Sequence, residues 1–240
     1  MRFKALPTIA YLVLVSGLLA LGFWQLGRSV EKEKFLQVQS ERLASESLDI
    51  TSTTNDSLET MRYKSATIEG RYDATHQILI DNQMNAGKVG YFVLTPFVLA
   101  GSNKAILVNR GWVPLNKDRR ILPDVTFKSE ESIIKGRING FPSVGIKLTG
   151  AEIPSNTWPA VVQVVDSQVL AKTIGYPLFQ FQLELDKDQA NGYVREWQIN
   201  LLMTPERHIA YAVQWFGLAL TLTVLFVWYS LKNNNNDTTR

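Results

Sequence analysis

The fold turns on Thr204-Pro205-Glu206-Arg207-His208-Ile209-Ala210-Tyr211-Ala212-Val213-Gln214-Trp215-Phe216-Gly217 and its continuation to Leu231. Between Ile209 and Tyr229 there is no formal charge, and about 20 such residues suffice to cross a bilayer core. Thr204 suits an N-cap, Pro205 the first helical position, and Glu206 the positive end of the helix dipole. The stretch therefore predicts a membrane helix over 205–231. Arg207 and His208 fall in its first turn, at the expected membrane surface. At about 100° per residue, Tyr211, Ala212, Trp215, Ala219, Leu222 and Phe226 follow His208 down one face. Ala210, Gly217 and Thr221 make a second, smaller stripe suited to close helix approach. One of only two histidines in the chain thus heads an aromatic stripe, and function is to be sought there first.

A second apolar run lies at the other end. Ala5 to Leu26 is broken only by Pro7, Thr8, Ser16 and Gln25, and it follows Arg2 and Lys4. A cleaved signal is the rival reading, but the run exceeds the usual ~7–15-residue signal core, so a retained helix over 6–27 is expected. Ser16, Ala20, Trp24 and Gly27 are expected to face a neighbouring helix. Lysine and arginine at both chain ends predict cytoplasmic tails, 1–5 and 232–240, and a translocated middle, 28–204. The last tail, Asn233 to Arg240, reads as disordered.

Composition excludes several classes. Of the 240 residues 45% are hydrophobic, and the formal charge is +3. Acidic and basic residues nearly cancel between the apolar runs, so no nucleic-acid footprint is expected. There is no cysteine, which removes disulfides, thiolate metal sites and thiol redox chemistry. No nucleophile elbow, phosphate loop, metalloprotease helix or dinucleotide fingerprint occurs, so an enzyme is not expected.

In the middle, Ser29 to Ser47 reads as an amphipathic helix continuing from the first apolar run. Leu48 to Glu59 reads as a loop, with a sequon at Asn55-Asp56-Ser57. Period-two runs then predict strands at 63–72, 76–82, 89–99, 105–113, 132–138, 145–148, 161–165, 178–185 and 196–199. The strands 89–99 and 105–113 are expected to form a hairpin. Ser167 to Ile174 reads as a short helix with Asp166 as cap and Gly175 after it. The expected fold is two transmembrane α-helices flanking an α+β, mostly antiparallel, barrel-like extracytoplasmic domain.

Smaller features are read plainly. Trp24, Gln25 and Arg28 close the first helix as interface residues. Arg110, Gly111 and Trp112 end the strongest strand, with Arg110 and Trp112 expected to project from a turn. They serve either domain packing or partner contact, two roles the residues leave open. His76 is expected to be exposed, and Asp186-Lys187-Asp188 to form a solvated turn.

Taken together, Trp24-Gln25 with Arg28, Gly90-Tyr91-Phe92-Val93-Leu94-Thr95-Pro96, Val108-Asn109-Arg110-Gly111-Trp112-Val113-Pro114 and Arg207-His208-Ile209-Ala210-Tyr211-Ala212-Val213-Gln214-Trp215-Phe216 resemble the Surfeit locus protein 1 family. The resemblance spans nearly the whole chain, except that 130–200 carries no matching motif. It implies a cytochrome c oxidase assembly factor that binds haem a or aids its insertion into the large oxidase subunit. The partners implied are that subunit, the haem a synthesis enzyme and membrane lipid. On this resemblance His208 is the iron ligand, Tyr211 and Trp215 pack on the macrocycle, and Arg207 meets a propionate. His76 is a candidate second ligand. The alternative is a cofactor-free scaffold holding an oxidase intermediate; a membrane-tethered hydrolase or sensor is a third reading. Without an Arg/Ser-rich leader, a bacterial inner membrane is expected, with the middle domain periplasmic.

Overall fold

Forty consecutive residues, Ala5–Ala44, form one α-helix, α1. Unbranched and small residues sustain it, and Pro7 falls in its first turn, where a missing N–H costs nothing. At 1.5 Å per residue it is about 60 Å long, roughly twice a bilayer's hydrocarbon core. The computed structural model describes residues 5–51, 54, 57–143, 149–197 and 203–237. They divide into two units, Met1–Val38 with Ile199–Arg240, and Gln39–Gln198.

In the first unit α1 packs antiparallel on the long C-terminal helix, which is named α4 below once the intervening elements are placed. That helix runs Pro205–Asp237, past the expected end at Leu231. No proline or glycine follows to stop it, so 232–237 are helical where an irregular tail was expected. Both helices are long and apolar enough to cross a membrane.

In the second unit the elements are β1 (Leu48–Asp49), α2 (Leu58–Met61), β2 (Ser65–Tyr72), β3 (Ile78–Asn85), β4 (Lys88–Leu99), β5 (Ala105–Pro114), β6 (Glu131–Asn139), β7 (Ala160–Val162), α3 (Ser167–Ile174) and β8 (Leu178–Leu185). The C-terminal helix of the first unit is thus α4. β1 and α2 lie where a loop was expected. The expected strand at 145–148 lies outside the described residues, as does most of the sequon. At 196–199, residues 196 and 197 are not in a strand and the rest is not described.

All eight strands join one sheet, in the order β1-β2-β6-β8-β5-β4-β3-β7. Antiparallel pairs predominate, but β1–β2, β3–β7 and β5–β8 are parallel. The barrel-like expectation is corrected accordingly. A barrel has no edges, whereas this sheet ends in β1 and β7. A further pairing of β2 with β4 covers only Gly70–Tyr72 against Phe97–Leu99.

Two hairpins hold the centre. β3 and β4 turn at Ala86-Gly87, both with positive φ, the two-residue geometry that matches strand twist. β4 and β5 pair as expected, from Gly90↔Pro114 to Val98↔Ala105. Every residue of β5 from Ala105 to Val113 is buried, because this strand is covered on both faces. One face meets Ile68, Phe97, Phe179 and Phe181. The other meets Ile78, Leu94 and Leu170, the last carried by α3. That helix begins at Asp166, whose carboxylate accepts from Gln168 N and Val169 N, and stops at Gly175 with φ of 94°; both signals were legible.

Candidate functional site

The seam between α1 and α4 is built from a 3–4 alternation. On α1 the inward positions are Tyr11, Val15, Leu18, Gly22, Gln25 and Ser29; on α4 they are His208, Ala212, Trp215, Ala219, Leu222 and Phe226. Alternating steps of three and four residues keep a helix seam facing its partner. At one end Tyr11 stacks on Phe226, with ring centres 4.2 Å apart, and its hydroxyl lies 3.1 Å from Thr223 Oγ1. Midway, Gly22 receives Phe216: a Cβ there would lie 2.5 Å from the ring.

The other end is polar. Ser29 Oγ donates to the Pro205 carbonyl at 3.1 Å. His208 Nδ1 lies 2.7 Å from Gln25 Oε1, and the histidine is 7% exposed. The structure thus brings together two residues that sequence reading singled out separately. Trp215 sits two turns along the same seam, and its indole Nε1 is buried without a hydrogen-bond partner among the described residues. Tyr211 is 43% exposed and Arg207 is exposed, so the single face expected for His208, Tyr211 and Trp215 divides. One α-turn is three or four residues, and here the four-residue step to Ala212 takes the inward place.

The two stripes expected to face neighbouring helices also turn out differently. Ser16, Ala20, Trp24 and Gly27 are exposed, as are Ala210, Gly217 and Thr221. Trp24 carries the Arg28 guanidinium over its ring at 5.7 Å, and Arg28 pairs with Glu31 at 2.7 Å. Trp228 carries Lys232 in the same way at 5.2 Å.

In the sheet unit, Arg110, Gly111 and Trp112 correct the expectation of a projecting turn. Phe92 pairs with Trp112 and Leu94 with Asn109, leaving Arg110 and Gly111 opposite Val93 alone. This β-bulge re-aims the strand. Gly111 takes φ of 114°, and a Cβ on it would lie 2.7 Å from the Val194 carbonyl. Arg110 is 2% exposed and Trp112 7%, so packing is the role their placement favours. Arg110 donates to Gln77 Oε1 at 2.8 Å and to the Asn191 carbonyl at 2.7 Å, and it stacks on Phe127 at 3.9 Å. Among the described residues no carboxylate pairs with it. Burial draws its pKa down, yet a guanidinium stays charged. Trp112 Nε1 donates to the Gln83 carbonyl at 2.9 Å.

His76 is half-buried rather than exposed. Its Nδ1 lies 2.6 Å from Asp73 Oδ2, which also accepts from the Tyr176 hydroxyl at 2.7 Å, and its ring meets Trp158 edge-on at 4.7 Å. Sequence reading missed this cluster, although an Asp three residues before a His at a turn signals it. The 186–188 turn is present, clasped by Arg195 through carbonyls including that of Lys187 at 2.9 Å. No group of three or more His, Cys, Asp or Glu among the described residues is placed to hold a metal ion.

The model of the SURF1 family matches residues 12–220, which takes in most of α1, the first half of α4 and the whole sheet. The chain belongs to the SURF1 family. A SURF1-like protein of Rickettsia bellii is 31% identical over 95% of this chain and 91% of its own length. Surfeit locus protein 1 of Arabidopsis thaliana is 24% identical over 85% of this chain and 72% of its own. A Saccharomyces cerevisiae relative is 26% identical over 69% of this chain and 43% of its own length; it is named a cytochrome oxidase assembly protein. None of these three relatives is named for an enzymatic reaction. The family span covers every residue of the polar seam end.

Proposed function

We propose that this chain is a cytochrome c oxidase assembly factor that spans a bacterial inner membrane twice and carries haem a at His208 toward the large oxidase subunit. The sheet unit is then periplasmic and both chain ends cytoplasmic. The Gln25–His208 hydrogen bond at the polar end of the α1–α4 seam carries the reading. From His208 to Trp228 is about 30 Å of helix, the thickness of a hydrocarbon core. Trp24 with Arg28 belongs to the His208 end, and Trp228 with Lys232 to the opposite one. Such aromatic–cation pairs suit the two headgroup layers.

The residues fit a haem. An imidazole is an ordinary axial ligand of haem iron. The Trp215 N–H is a buried donor with no acceptor among the described residues, as expected where a polar-edged ligand is taken up. His208 would hold the iron, Trp215 would meet the macrocycle from the seam side and exposed Tyr211 from the outer side, and exposed Arg207 would meet a propionate. The cargo supplies the iron and macrocycle; the chain binds, orients and keeps them beside lipid. The large subunit and the haem a synthesis enzyme are the partners at delivery and loading.

A second reading is favoured by the low exposure of His208: the imidazole then only locks α4 onto α1, and the protein is a cofactor-free scaffold. A visible spectrum of protein purified from cells making haem a separates them. A haem band in the wild type that is lost in His208→Ala, with the helix still inserted and oxidase maturation impaired, is the expected result. A protein with no such band supports the scaffold.

A further inference from the structure

Gln25 Oε1 faces His208 Nδ1 at 2.7 Å. An amide oxygen only accepts, so the ring nitrogen opposite it carries the proton, and in a neutral imidazole the lone pair then lies on Nε2. One turn further along α1, Ser29 ties down the Pro205 carbonyl, so the first turn of α4 is held against α1 while the imidazole is gripped. The pair lies in a seam where His208 is 7% exposed, and a shielded hydrogen bond is stronger than one facing water.

We infer that Gln25 is a positioning residue for His208: it accepts the Nδ1 proton, fixes ring orientation and tautomer, and so leaves Nε2 as the nitrogen offered to haem iron. The inference rests on the haem reading above. Acceptors behind ligating imidazoles usually strengthen metal affinity about 10–100-fold. Gln25→Met keeps side-chain length and loses the acceptor; Gln25→Glu keeps the acceptor.

The test uses the full chain in detergent with 15N-labelled histidine, the two histidines being told apart with His76→Ala. Wild-type His208 is expected to be protonated at Nδ1, Gln25→Met to show a mixture of tautomers, and Gln25→Glu to keep the wild-type form. Titration with ferric haem should show about 10–100-fold weaker binding in Gln25→Met, largely restored in Gln25→Glu. Protonation at Nε2 in the wild type overturns the inference, as does Gln25→Met that changes neither tautomer nor affinity. Failure of the wild type to take up haem, with the tautomer pattern as expected, overturns the haem reading and supports the hold of Gln25 on His208. Haem uptake with an unaltered tautomer in Gln25→Met overturns the positioning role alone.

Discussion

Replacing Trp112 by alanine removes a ring that is 7% exposed and whose Nε1 bonds the Gln83 carbonyl. The expected cost is about 3–5 kcal/mol, read by chemical denaturation of the full chain in detergent; a loss below about 1 kcal/mol would return Trp112 to a contact role. At Asp73, desolvation alone would raise the carboxyl pKa, but hydrogen bonds from Thr75, His76 and Tyr176 outweigh it and bring the value to about 2. The folded value therefore lies below the unfolded one of about 3.9. Ionised Asp73 stabilises the fold above about pH 4, and that contribution is lost as the pH falls through about 2. Asp73→Asn should be less stable than wild type at neutral pH, the gap closing over that window in denaturation curves. A gap independent of pH would assign the loss to geometry. The residues of interest were legible as types, but their surroundings were not. Ile106-Leu107-Val108 runs apolar without alternation, which announces a strand covered on both faces and hence a buried Arg110. The bulge at Gly111 was legible only as an unusual glycine.

Among the elements, the α1–α4 pair depends on the notch at Gly22. Gly22→Leu forces a side chain into the Phe216 ring, since even a Cβ would come within 2.5 Å. Thermal melts in detergent should show a lower midpoint for Gly22→Leu, with Phe216→Ala in the same chain recovering part of it. Simple additivity of the two substitutions would argue that they do not share a cavity. Both helices, α3 and the β4–β5 hairpin were written in local signals: an N-cap, a closing glycine, runs of strand-forming residues. The seam was harder, because Ser16, Ala20 and Gly27, with the large ring of Trp24, drew the eye while a 3–4 alternation through Gly22 and Gln25 made the contact. β1, two residues long, carries too little pattern to be read. β1, β7 and β8 each have a parallel partner distant in the chain, and sequence period says nothing about such neighbours.

For the molecule as a whole, the membrane reading predicts that reporter fusions after Asn55 and after Lys187 are active only with a periplasmic reporter, and one at Asn236 only with a cytoplasmic reporter. Cytoplasmic activity at Asn55 would reverse the proposed orientation, and an N-terminus found near Ala20 in the mature protein would remove α1 as an anchor. The order of the sheet also sets an order in time. β8 lies between β5 and β6, yet it is made after both, so those two strands wait for their common neighbour. At ~5–20 residues per second, roughly 2–9 s of synthesis separate the end of β6 from the end of β8. The oxygen that Arg110 needs from Asn191 comes later still. Until then a cation destined for the interior stays in water, and the half-made sheet shows unpaired edges. During those seconds the edges of β5 and β6 that β8 will occupy lack their partner.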